Sequence, residues 1–131
     1  RPFDLRVEDH HEPLRELRRL VDLKRAYDRA EAGDELAAEG DMEAALEEYA
    51  AARAAQPGSA ELAFWHGVAL AGTGREAEAR DALAEAFRAG EEWRELVRRL
   101  PAAGLLPDDP DLVSRLVLSG RTEVGPGPAA V

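Results

Sequence analysis

The chain has 131 residues, no cysteine, and 27 acidic against 17 basic side chains, for a formal charge of −10. That length suits a single domain. The missing thiols exclude disulfides, thiolate metal sites and cysteine nucleophiles. The acidic balance disfavours nucleic acid, whose affinity comes largely from basic residues displacing counterions, and no run of about 18 apolar residues is present to cross a membrane.

Phe3, Leu5 and Val7 alternate with Asp4, Arg6 and Glu8, the period of a half-buried strand. A strand needs a partner for its backbone groups, and nothing later in the chain alternates in this way. The strand is expected to belong to a sheet of a preceding domain, with 1–12 as strand and turn. Arg1 is not an initiator residue, and Arg1 to Asp9 lacks the apolar core of a signal peptide. The sequence is expected to be part of a longer or processed protein, with a cytoplasmic location favoured. His10 and His11 lie between Asp9 and Glu12, but adjacent side chains diverge where zinc wants three or four converging ligands. No metal or cofactor is expected.

Pro13 suits a first helical position, and Leu14, Leu17, Leu20, Val21, Leu23 and Tyr27 continue with helical spacing as far as Glu39. Further helices are expected at about 41–55, 59–72 and 75–89, with Asp41 and Ser59 as caps and Pro57-Gly58 as a break. Trp93, Leu96, Val97 and Leu100 form one stripe of a helix from Glu91 that Pro101 stops. Leu105 and Leu106 suggest that the loop 102–109 packs. Asp109-Pro110 starts a last helix through Leu112, Val113, Leu116 and Val117. Residues 120–131, with Gly125-Pro126-Gly127-Pro128, are expected to be a disordered tail. The fold class is therefore all-α, with the helical domain at 13–119.

The middle of the chain repeats. Gly33 recurs as Gly67, Leu36 as Leu70, Gly40 as Gly74, Ala45 as Ala79, Tyr49 as Leu83 and Ala52 as Ala86, each at one offset (67 − 33 = 34). Glycine inside a helix costs about 1 kcal/mol relative to alanine, so Gly33 and Gly67 suggest close helix packing. Gly40 and Gly74 suit left-handed helix ends. A period near 34 residues with these residue types resembles the tetratricopeptide repeat, here Gly33, Leu36, Gly40, Ala45, Tyr49, Ala52, Pro57 and then Gly67, Leu70, Gly74, Ala79, Leu83, Ala86. Arg29 and Ala63 depart from the early aromatic of that pattern, where Trp65 is expected to fill the second gap, and Glu91 stands where proline is usual. Two such units bury little alone, and the long first helix and the last two helices are expected to cap them.

Three segments resemble a second family: Asp4 to His10 with Pro13 to Leu20, the repeats, and Trp93 to Pro101 with Gly104 to Pro107. They are similar to the C-terminal region of bacterial proteins whose N-terminal domain is an uncharacterised N-terminal-nucleophile hydrolase-like fold. Peptidoglycan binding is ascribed to that region. The resemblance implies that any catalytic residue lies in the preceding domain and that this part is an accessory to it.

Grooves of tetratricopeptide repeats are lined by the first helix of each pair. Carried over by position, this gives Tyr27, Asp34, Ala37, Ala38, Glu61, Phe64 and Val68, with Trp65 beside them. The set is apolar and acidic, which fits a basic or apolar peptide or protein, including the parent chain's own N-terminal domain. Residues 31–60 hold eight acids and one base, which reads either as a solvated face that keeps the protein soluble or as a docking face for a basic partner. Trp65 and Trp93 suit the core, or stacking on sugar rings. His66 suits a packed position. Ser59, Ser114 and Ser119 fall at a cap, within a helix and near a helix end, so no serine–histidine–acid set forms. The expectation is a non-catalytic protein-binding module, with glycan binding as the alternative.

Overall fold

The computed structural model describes residues 13–121, which hold six α-helices and no strand. The expected strand at 3–7, the His10-His11 pair and most of the expected tail lie outside the described residues. Among the described residues no helix is long and apolar enough to cross a membrane. The chain divides into two compact units, Arg1–Leu62 and Ala63–Val131.

The first unit holds α1 (Pro13–Ala38) and α2 (Met42–Ala55). The 26 residues of α1 span about 39 Å. Its end is closed by Gly40 at φ 88°, with Asp41 N–H donating to the Leu36 carbonyl at 2.9 Å and Gly40 N–H to Ala37 at 3.0 Å. This is the left-handed closure in which two orphan carbonyls are satisfied. Asp41 then accepts from Ala44 N–H at 3.2 Å and caps α2. So short a loop returns α2 along α1 as an antiparallel neighbour. Ala26, Ala52 and Leu62 form a buried cluster with Tyr27 and Ala30 packed against it. Gly33 is close to the ring of Tyr49: a Cβ there would lie 2.7 Å from Tyr49 Cε1.

The first half of α1 behaves differently from its second half. Residues 13–25 include no buried side chain, whereas Ala26 and Gly33 are buried. Leu14 is 81% exposed and Leu17 36%. Within this segment Leu20, Val21 and Leu23 are half-buried.

α3 (Ala60–Gly72) begins at Ser59, whose Oγ accepts from Leu62 N–H at 3.2 Å. The second unit contains the rest of α3 with α4 (Glu76–Ala89), α5 (Glu91–Arg99) and α6 (Pro110–Val117). Gly74, at φ 82°, closes α3 as Gly40 closes α1, with Arg75 N–H on the Leu70 carbonyl at 3.0 Å. Arg75 gives α4 no side-chain cap and instead pairs with Glu78 at 2.9 Å. Gly67 sits against Leu83, whose Cγ would be 2.8 Å from an added Cβ. Phe64, Leu83, Val97 and Leu116 are fully buried. Asp109 accepts from Asp111 and Leu112 N–H and caps α6, with Pro110 in its first turn. Of the loop's two leucines, Leu106 is buried and Leu105 exposed. Gly120, placed by sequence in the tail, packs within 3.0 Å (measured from an added Cβ) of Ala84 Cβ on α4.

Candidate functional site

Five of the eight sequence-derived groove residues belong to the first unit. Tyr27 and Glu61 are brought together: the Tyr27 hydroxyl donates to Glu61 Oε1 at 3.0 Å and lies 3.4 Å from Ser59 Oγ. Ser59 is also the cap of α3, so the tyrosine braces a helix start. Asp34 is exposed and accepts from the Tyr49 hydroxyl at 2.6 Å. Burial first, and then the bond to the Asp34 carboxylate, push the Tyr49 hydroxyl well above the ordinary phenol range. Ala37 is half-buried and Ala38 exposed. This part of the surface is acidic, and its two aromatic hydroxyls are both committed to carboxylates.

Phe64, Trp65 and Val68 belong to the second unit. Phe64 and Val68 are buried in its core. Trp65 is half-buried and meets Phe64 edge-on, with ring centroids 4.9 Å apart. Trp93, also half-buried, lies across Phe64 at 5.0 Å with a 42° tilt. Both indoles therefore buttress one buried ring, an arrangement that favours aromatic packing energy, and each leaves part of its surface in solvent. His66 is buried. Among the described residues no group of three or more metal-ligating side chains converges. Ser114 is exposed, and the Ser119 hydroxyl is buried without a hydrogen-bond partner.

Two features of the second unit were not read from sequence. Arg94 is only 6% exposed. Its Nη1 donates to the Val117 carbonyl and, at 3.2 Å, to that of Ser119, its Nε donates to Glu91 at 3.0 Å, and its guanidinium lies 4.4 Å from the centroid of the Phe87 ring. The carbonyls at the end of α6 have no partners inside their own helix, and a cation there also meets the negative end of the helix dipole. The sequence Trp93-Arg94-Glu95-Leu96-Val97-Arg98-Arg99 contains three arginines, and only helical phase relative to Val97 hinted that the first of them points inward. The second feature is a cleft of about 790 Å³ between α5 and α6, lined by Pro101, Pro110, Val113 and Leu118 with Arg98 and Asp109 at its polar edge. Arg98 is already paired with Glu95 at 2.9 Å.

No known protein family, curated protein or solved structure matches the chain.

Proposed function

We propose that the chain is a non-catalytic interaction module of the tetratricopeptide type. The observation that supports this is the glycine contact made twice. Gly33 accepts the ring of Tyr49, and Gly67 accepts the side chain of Leu83, at positions 34 residues apart in the sequence (67 − 33 and 83 − 49). A repeated unit that spends helix propensity on a close approach is built to stack pairs of helices, and such arrays present surfaces rather than reactive centres.

The partner that suits the first unit is a basic or apolar peptide. Asp34 and Glu61 offer carboxylates that each hold one tyrosine hydroxyl and keep further acceptor capacity. The test is binding of immobilised lysine- and arginine-rich peptides, with acidic peptides as controls, to the chain and to an Asp34→Lys/Glu61→Lys variant. Basic peptides held by the parent and lost by the variant are the expected result. Equal retention of acidic and basic peptides would remove the proposal, as would hydrolysis of a test substrate by the chain itself.

Glycan binding is the second reading, favoured by the partly solvent-facing indoles of Trp65 and Trp93. Co-sedimentation with purified peptidoglycan separates the two. Saturable pelleting that a Trp65→Ala variant loses would replace the peptide reading.

A further inference from the structure

The charge of this acidic protein is unevenly placed. Residues 13–25 carry Arg15, Arg18, Arg19, Lys24 and Arg25 against Glu16 and Asp22, a net +3 (5 − 2) within a chain of −10. The same segment contains the outward leucines. Leu14, Leu17 and Val21 follow i, i+3, i+7 spacing and share a face, with Leu14 81% exposed. Arg18 and Arg25 are exposed and make no ion pair among the described residues. Further along the unit, α2 has an outer stripe at Glu43, Glu47, Ala50 and Ala54, all exposed, spaced four, three and four residues apart and so on one helix face. Its buried residues Ala45, Leu46, Tyr49 and Ala52 occupy the opposite side.

We infer that the protruding half of α1 is a self-association arm whose occupant is the outer face of α2 in a second copy of the chain. The two surfaces match in length. The 13 residues of 13–25 extend about 20 Å and the stripe from Glu43 to Ala54 about 17 Å. They match in sign, arginine against glutamate, and in shape, since exposed leucines lie readily over alanines that let helices approach closely. One copy cannot satisfy itself, because 13–25 and the partner of α2 are the two halves of a single continuous helix. Two copies that exchange arms satisfy both surfaces at once, which closes as a two-fold dimer. At physiological salt the screening length is about 8 Å, so local pairs outweigh the repulsion between two acidic bodies. This contact lies outside the groove residues and stands or falls separately from the peptide-binding proposal.

The experiment is a charge swap read by sedimentation velocity over a wide concentration range. The parent chain is expected to dimerise, and the dimer to weaken in high salt. Arg18→Glu/Arg25→Glu and Glu43→Arg/Glu47→Arg are each expected to weaken it by about tenfold or more, because several exposed pairs turn repulsive together. Mixing the two variants is expected to restore a dimer, since each then presents the sign that the other lacks. All four positions are exposed, and restoration on mixing itself shows that both variants are folded. A parent chain that stays monomeric at every concentration overturns the proposal, as does a dimer indifferent to both swaps or a mixture that fails to associate. Monomeric protein that instead binds vesicles of phosphatidylglycerol and phosphatidylcholine through Arg18 and Arg25 overturns it in favour of a lipid surface.

Discussion

The two units solve one packing problem with different chemistry. In the first, Gly33 makes room for Tyr49, whose hydroxyl reaches out to exposed Asp34. In the second, Gly67 makes room for Leu83, and the position matching Asp34 is Val68, which is buried. A buried tyrosine bonded to an exposed carboxylate in the first unit corresponds to an apolar pair in the core of the second. The change is concerted: keeping Asp34 opposite a leucine would leave no donor for it, and keeping Tyr49 opposite a valine would leave a buried hydroxyl unpaired, at about 1–3 kcal/mol. The glycine, which sets the approach of the backbones, is the part that stays fixed. The second unit also has a device that is absent from the first among the described residues, the buried arginine that joins α5 to the end of α6.

That asymmetry can be broken most severely at Arg94. Arg94→Ala removes the donor shared by the Val117 and Ser119 carbonyls and the cation over Phe87. The expected loss is about 3 kcal/mol, from unsatisfied buried carbonyls and a cavity, measured by urea denaturation. Arg94→Lys recovers little of it, because a lysine head is a point charge and cannot both stack and fork. A helix of eight residues has no stability of its own, so amide exchange in α6 is expected to rise most. A loss below about 1 kcal/mol would mean that the carbonyls find water and that the arginine is incidental.

The glycines sharpen the comparison. Gly67→Ala places a Cβ 2.8 Å from Leu83 Cγ and 3.3 Å from the Ala79 carbonyl oxygen, which is backbone and cannot rotate away. With backbone in the way, overpacking at the upper end, about 3 kcal/mol, is offset by about 1 kcal/mol of regained helix propensity, for a net loss of about 2 kcal/mol. Gly33→Ala meets only the Tyr49 ring, at 2.7 to 3.1 Å, and a side-chain ring, unlike backbone, can tilt. The expected net loss there is about 1 kcal/mol. The reverse order by thermal or urea unfolding would show that the hydrogen bond to Asp34 pins Tyr49 more firmly than burial pins Leu83.

These contacts differ in how far the sequence announced them. Helix ends were legible because their causes are local: Asp41, Ser59 and Asp109 each bond a backbone N–H within three residues, and Gly40 and Gly74 adopt the left-handed turn that their position suggests. The close approach at Gly33 and Gly67 was legible because an unfavourable residue occurs twice at one spacing. Arg94 was not, since its partners lie 23 and 25 residues away and arginine on a helix is ordinarily solvated. Nor was the division of the groove set, in which Tyr27 and Glu61 bond each other while Phe64 and Val68 are core. Transfer by repeat position ignores that an apolar residue at a groove position can turn into the core of its own unit.

Tyr49→Phe tests the polar half of the comparison directly. At neutral pH the expected loss is about 1.5 kcal/mol, the lower end for a hydrogen bond to a charged acceptor because Asp34 remains open to water. The pH dependence carries the sharper sign. The folded state raises the Tyr49 pKa, so the proton is held more tightly than in the unfolded chain. The contribution is complete below the unfolded tyrosine value of about 10 and is lost as pH rises beyond it. The parent is expected to lose stability above about pH 10 more steeply than the phenylalanine variant, and parallel curves would place the effect elsewhere.

The smallest effect is expected where each unit joins two helices by an exposed ion pair, Arg29 with Glu48 at 3.4 Å and Arg115 with Glu76 at 2.6 Å. Only the second is forked, with a further bond at 3.0 Å. The hydrogen bond from Arg115 lowers the Glu76 pKa, so its contribution is present above the ordinary glutamate range and is lost as pH falls through the lowered value. At neutral pH both Arg29→Met and Arg115→Met should lie within the scatter of ordinary surface substitutions. On acidification the Arg115→Met chain should lose less stability than the parent, since the contribution that acid removes is already gone. A steeper acid loss in that variant would reverse the assigned sign and show that Glu76 is held by something other than Arg115.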